Sequence, residues 1–348
     1  MKKQVFTSLL VLFGTLLLST TAYAQSEVEI RANKDQISTP TWRALGPVLD
    51  NHIQETSGIN INEELSEQYN IEYSSLRKFL IYTLNYTSTD LSLAKVNHRY
   101  PHYNTDSIQA DFSELVVLGR IEEASLESYK ATIDGMEILG TYWQLRLEQA
   151  AAYDVVDQAY LEIFNTVLQK IIDEAILMED GRSVRVRLSS RPGYFEELPL
   201  VIQVSERLKE YTAFINDMSH YKYDHLLQSP QGEPWAGLQL SSMAKELMSA
   251  SREGRVYEIQ RCYDQPNWRM GKEGCDRAIN ELIDIGFVQT LEGTMIQTEA
   301  GAKISAIAEG LNDQMRYSAW KNLTMDEYEL FVEGINWVLD NLQPINND

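Results

Sequence analysis

Cys262 and Cys275 are the only thiols in the chain, and in an oxidising compartment they can close a short loop as a disulfide. On the chain-entropy account such a closure stabilises a fold by about 3 kcal/mol. It would also fix the angle between the helices flanking Asp264-Gln265-Pro266-Asn267. The other reading is two small buried side chains that never meet. A second set is basic: Arg182, Arg185, Arg187 and Arg191 gather in an acidic chain, a pattern able to hold an anionic ligand or an acidic partner surface. An exposed strand whose charges are solvated or paired with Glu196 and Glu197 accounts for the same run. Asp217, His220, Asp224 and His225 offer oxygen and nitrogen donors suited to a metal, or form a solvated helix end. His98 and His102 cannot share a helical face, because Pro101 intervenes. Tyr142, Trp143, Tyr153, Tyr160 and Phe164 read as core rather than as a ligand box. The chain has no Gly-rich phosphate loop, nucleophile elbow, zinc-protease motif or Cys-x-x-Cys, so neither a catalytic residue nor a cofactor is expected.

The elements that must position these groups follow an opening that reads as a secretory leader, residues 1–24. Lys2 and Lys3 precede an apolar run from Val5 to Leu18, and Ala22-Tyr23-Ala24 supplies a small-x-small cleavage site. Cleavage after Ala24 and a periplasmic or secreted mature chain are predicted. The apolar run is too short for a membrane span, and no later segment is long enough. Asp and Glu number 51 against 30 Lys and Arg, a net charge of -21, and loss of the leader removes two lysines and no acid. Such a surface repels phosphate backbones, which disfavours nucleic acid as a partner. With 44% apolar residues the chain can bury a sizeable core, read as two domains.

Residues 25–38 read as a flexible tail and 39–227 as a helical domain. Trp42, Leu45, Val48, Leu49 and Ile53 share one helical face, and Leu76, Phe79, Leu80 and Leu84 another, before a polar loop from Thr87 to Ser107. From Phe112 to Met178 the periodicity is helical, with Gly135 and Gly140 as kink or packing points. Val184, Val186 and Leu188 alternate with Arg185 and Arg187 as in a short strand, and a helix runs from Leu200 to about His220. Residues 228–239 form a linker around Ser229-Pro230-Gln231-Gly232-Glu233-Pro234.

Residues 240–342 have a different character, and 343–348 form a tail. Helices at about Leu240 to Ala250, Arg255 to Tyr263 and Lys272 to Ile285 lead to strands at Phe287 to Leu291 and Met295 to Gln297. Cys275, Ile279, Leu282 and Ile283 are expected to face inward. Glu292-Gly293 turns the hairpin, and Thr298 caps the next helix. Thr324-Met325-Asp326-Glu327 is a capping box for the last one. The expected fold is mainly α, a helical N-terminal domain followed by a winged helix-turn-helix-like domain with a small β-hairpin.

Ile279-Asn280-Glu281-Leu282-Ile283-Asp284-Ile285-Gly286-Phe287-Val288, the hairpin, Thr298-Glu299-Ala300-Gly301 and Leu323-Thr324 resemble winged-helix regulators of the multiple-antibiotic-resistance (MarR) type. They are closer still to the SalK-type helix-turn-helix family, in which a helical region precedes such a domain. The resemblance covers about Leu240 to Leu342. It implies a homodimer and a recognition helix, Lys272 to Ile285, that lies in a DNA major groove and presents Lys272, Glu273, Asp276 and Arg277. This chain departs from that pattern at the wing, Phe287 to Thr298, which has no Lys or Arg and one Glu.

Three function classes follow. The first is an exported, non-enzymatic helical protein whose winged-helix-like domain serves protein or small-molecule contacts, since fold does not fix function. The second is a cytoplasmic transcriptional regulator of the resembled family, which requires that the leader be misread or left uncleaved. The third is an enzyme on a helical scaffold, built from residues remote in sequence.

Overall fold

The computed structural model describes residues 26–35, 39–86, 88–99, 105–153, 158–178, 182–228, 237–251, 256–264 and 271–341. The leader, the breakers of the linker and the final tail lie outside these residues. Among the described residues, no helix is long and apolar enough to cross a membrane. The architecture is mainly α with two small three-stranded antiparallel sheets.

The chain starts with α1 (Glu27–Asp35), α2 (Thr39–Ser57), α3 (Ile61–Gln68) and α4 (Tyr73–Asn85). There follow β1 (Leu91–Ser92), α5 (Leu93–Arg99), α6 (Thr105–Val117), β2 (Ile121–Ser125), β3 (Ser128–Ala131), α7 (Ile133–Ala151) and α8 (Gln158–Leu177). After α9 (Arg182–Leu188) and a 3-10 turn at Phe195–Glu197 comes the long α10 (Leu200–Gln228). The remainder is α11 (Ser242–Ala250), β4 (Tyr257–Glu258), α12 (Ile259–Asp264), α13 (Gly271–Ile285), β5 (Val288–Leu291), β6 (Thr294–Gln297), α14 (Glu299–Ser318) and α15 (Met325–Asn341).

The run from α2 to α8 and the run from α10 to α15 are two renderings of one plan. Each has a long helix, further helix before a short strand (α3 and α4 in the first run, α11 in the second), two helices, a hairpin and two more helices, and the sheet orders β1-β3-β2 and β4-β6-β5 match. Leu91 pairs with Tyr129 and Tyr257 with Met295 at corresponding positions. Local chemistry repeats too. Leu115-x-x-x-Gly119 and Leu282-x-x-x-Gly286 end α6 and α13, with the glycines at φ 68° and 83°, a left-handed conformation that costs glycine little. The amides of Arg120 and Phe287 return to the carbonyls of Leu115 and Leu282, each at 2.9 Å, closing the same helix-terminating motif. Thr132 and Thr298 then cap α7 and α14, accepting from the amides of Gly135 and Gly301. Both threonine hydroxyls also donate across the hairpin to the glycine that ends the helix before it, at the carbonyls of Gly119 and Gly286.

The two units meet about a local pseudo-twofold. Helix α2 packs on α10 and α8 on α15, while α8 on α10 is mirrored by α15 on α2. Such isologous exchange is how two copies of a subunit usually associate. The main core lies along this seam, where Phe164, Tyr211, Trp320, Tyr328 and Phe331 are buried and the Trp320 indole donates to the Tyr211 hydroxyl at 3.0 Å. A second cluster, with Leu247, Leu282, Phe287 and Ile304 at its centre, fills the second winged unit.

Several sequence expectations are corrected. Residues 27–35 are helical, with Val28 and Ala32 buried, because α1 packs against α14 and α15. The polar loop from Thr87 holds β1 and α5, anchored by buried Leu91, Leu93 and Val96. The helical stretch from Phe112 is interrupted by the β2-β3 hairpin. Of the two readings of Gly135, the packing point holds: it lies in close approach to Arg120 and Ala131 at the base of that hairpin. Arg182–Leu188 is a helix, not a strand: Ser183 and Arg187, four residues apart, both turn inward. Helix α10 continues past His220 to Gln228. Ile283 is exposed, whereas Cys275, Ile279 and Leu282 are buried. The capping box at Thr324 forms with Glu327 in both directions, at 2.9 and 3.2 Å.

Cys262 and Cys275 are joined as a disulfide across the turn between α12 and α13, with their Cα atoms 6.1 Å apart, and both are fully buried. Replacing both with serine is expected to lower the unfolding free energy by about 2–5 kcal/mol. Urea titration of the oxidised protein with and without reductant measures it, and coincident curves would mean that the bridge contributes nothing.

Candidate functional site

A cavity of about 320 Å³ lies where α2, α3, α4 and α7 of the first unit meet α9 and the long α10. Its lining includes Asp50, Arg77, Tyr142, Arg146, Arg187 and Lys209. Five separate elements contribute these groups, and the packing of α2 and α10 across the pseudo-twofold places Asp50 against Lys209 at 2.5 Å.

Arg146 is the centre of the charge network and is 3% exposed. It donates to Asp50 at 3.0 Å, Gln149 at 3.0 Å and Ser205 at 3.1 Å, and lies 3.5 Å from Glu206. Glu206 also accepts from Arg187 at 3.1 Å and Lys209 at 2.7 Å, and Arg187 reaches Asn85. Burial alone would push the Asp50 carboxyl up, but Arg146 and Lys209 overcome it and hold Asp50 well below the usual carboxylate range. Glu206 is lowered in the same way, its burial outweighed by Lys209, Arg187 and Arg146. Burial depresses Arg146 and Lys209, yet the carboxylates raise both, so all four groups are ionised at neutral pH. Burial raises the Tyr142 hydroxyl, which stays protonated there.

Arg146, Arg187 and Lys209 thus face two carboxylates, and Arg77 adds a further exposed cation at the rim. The Nε–H groups of Arg146 and Arg187 are buried with no acceptor among the described residues. A cavity with surplus positive charge is suited to a small anion. The fold does not demand this lining. At the corresponding places of α14 in the second unit, Tyr142, Arg146 and Gln149 are replaced by Ala308, Asn312 and Met315.

The structure separates the arginines grouped by the sequence. Arg187 enters the cavity. Arg185 donates to the carbonyls of Ile176 and Met178 at the end of α8, at 2.7 and 2.9 Å. Arg191 binds the buried Glu210 through Nε at 2.6 Å and lies 4.0 Å over the Phe195 ring. Glu196 pairs with Arg191 and Arg207. The Arg182 side chain lies outside the described residues.

Among the described residues the metal candidates do not come together. Asp217 accepts from the Ser183 amide and hydroxyl, Asp224 pairs with Lys245, and the His220 side chain lies outside the described residues. His225 is on the same helix, and no group of three or more potential metal ligands is present among the described residues. On α13, Lys272 lies 5.4 Å over the Tyr263 ring and Asp276 accepts from the Tyr263 hydroxyl at 2.6 Å. Glu273 and Arg277 are exposed beside them.

Sequence reasoning found Arg187 but missed Asp50, Arg77, Arg146, Glu206 and Lys209. The one available signal was Arg146 at an inward position of an apolar helical face, a place where an unpaired cation is rarely tolerated. Comparison with family models, curated proteins and solved structures finds no match to this chain.

Proposed function

We propose that this is an exported, non-enzymatic binding protein whose paired winged-helix-like units scaffold a pocket for a small anionic ligand. The cationic excess of Arg77, Arg146, Arg187 and Lys209 over Asp50 and Glu206, at the lining of a cavity, carries this reading. The disulfide is in keeping with an oxidising compartment. Contact with DNA is disfavoured by both reading heads: α6 contains Asp106, Asp111 and Glu114 and no Lys or Arg, and α13 carries four acids against Lys272 and Arg277. The pairing that the MarR resemblance implies between two copies is supplied within one chain by its own second unit.

The test uses the mature chain and thermal unfolding with benzoate, succinate and phosphate, and choline as a cationic control. An anion at 100 times its Kd stabilises by about 2.7 kcal/mol and raises the midpoint. At least one anion should do so and choline should not, while Arg77→Glu, at the exposed rim, should remove the shift without altering the ligand-free midpoint. An equal shift in the variant, or none with any anion, would overturn the reading.

A further inference from the structure

The repeated architecture supplies an internal control for the surface. Two units that share backbone, caps and hairpin should place apolar side chains alike wherever the fold itself requires them. At the outer edge of the hairpin they do not. In the first unit Val117 and Ile133 are 86% and 87% exposed, and Leu118 and Met136 are also exposed. The helix-ending motif and the threonine cap fix the correspondence, so Val117 matches Asp284, Ile133 matches Glu299 and Met136 matches Ala302. The second unit therefore folds with polar or small residues at three of these sites and keeps an apolar one, Ile285, only where the first has Leu118, so large apolar groups at 117, 133 and 136 are not needed for folding.

The segments that carry these side chains adjoin. The Thr132 amide donates to the Arg120 carbonyl at 3.1 Å and its hydroxyl to the Gly119 carbonyl at 2.7 Å, which seats the start of α7 beside the end of α6. Val117 and Leu118 lead into that junction, and Ile133 and Met136, three apart on one helical face, lead out of it. A patch of large apolar groups in water marks an interaction surface more often than a solvated one. Its surroundings are acidic: over 105–137 the chain has eight Asp and Glu against Arg120 and Lys130 alone, and Glu123, Asp134 and Glu137 are exposed around the patch.

We propose that Val117, Leu118, Ile133 and Met136 form a docking surface for a basic amphipathic segment of another protein. The apolar face of such a segment covers the four side chains and its Lys or Arg residues meet the acidic rim. Charge complementarity favours this occupant over a second copy of the chain, whose identical patch would oppose like charges. The proposal is independent of the anion pocket, which lies among other residues.

The test uses the full mature chain and two fluorescent helical 14-residue peptides, one of Leu and Lys, the other of Leu and Glu. The Leu/Lys peptide should bind and the Leu/Glu peptide should bind at least tenfold more weakly. The triple variant Val117→Asp, Ile133→Glu, Met136→Ala takes the residues of the second unit and should keep the wild-type thermal midpoint. It should lose at least tenfold in Leu/Lys affinity. Equal binding of both peptides, no binding of either, or an unchanged affinity in the variant would overturn the proposal. So would a wild type that light scattering shows to self-associate when the variant does not, because the occupant is then a second copy. Binding by the mature chain that a parallel titration of the uncleaved 348-residue chain does not show would make the leader the occupant, and would overturn it as well.

Discussion

Gly301→Ala is expected to destabilise the protein by at least about 3 kcal/mol, the upper part of the range for overpacking. A Cβ at this position would lie 2.0 Å from the Phe287 carbonyl oxygen and 2.9 Å from its carbon. That oxygen cannot rotate away, since the Thr298 amide donates to it at 2.9 Å and the hairpin hangs from the contact. Gly135→Ala should cost a similar amount, because its Cβ would meet the Arg120 carbonyl oxygen at 2.3 Å in the matching place of the first unit. Gly140→Ala is the control: nothing lies within 4 Å, and alanine's helix propensity should make that change neutral or stabilising by up to about 1 kcal/mol. Urea titrations of the three variants decide the matter. A Gly301 variant that unfolds with the Gly140 variant would show that the hairpin is not seated on α14.

Arg146→Met should cost about 3–5 kcal/mol at pH 7, the usual penalty for removing one partner of a buried ionic network. Methionine approximates the aliphatic stem but leaves Asp50 and Glu206 with Lys209 and Arg187 as their only nearby cations. The pH dependence identifies the cause. Both carboxyls are held below their ordinary values of 3.8 and 4.5, so their contribution is complete above those values and is lost as pH falls through the folded-state ones. Wild-type stability should therefore decline below about pH 4.5. In the variant the same carboxyls take up protons at higher pH, which relieves their repulsion, so the gap between the two proteins should narrow as pH falls from 7 to 4. A gap that stays constant with pH would assign the loss to packing instead.

The second winged unit was legible because its signals are dense and local. Leu282 to Gly286, the Glu292-Gly293 turn and Thr298 each mark a boundary, and β6 buries Met295 between short strands. The first unit has the same plan with weaker marks. Only Ile121 of β2 is buried and only Tyr129 of β3, so no alternation of two emerges between helical runs on either side. The Leu115 to Gly119 motif was in view, but without strand periodicity after it the helical pattern dominated. Alternation misled at Val184 to Leu188 because the inward positions there are Ser183 and Arg187, polar groups that are buried only because Asp217 and Glu206 receive them. The cavity lay beyond sequence reasoning for a simpler reason. Its charges come from five helices, and nothing in a linear chain brings Asp50 near Arg146 and Lys209 until α2 and α10 pack.

Joining both halves by peptide bonds has an outcome that a separable pair would not share. Assembly of the seam is first order, so dilution cannot undo it and its strength is set by tether length rather than by cellular abundance. Every substitution also falls on one side only. A non-covalent pair would repeat each change on both faces, whereas here the cationic hollow and the greasy edge can each occur once per chain.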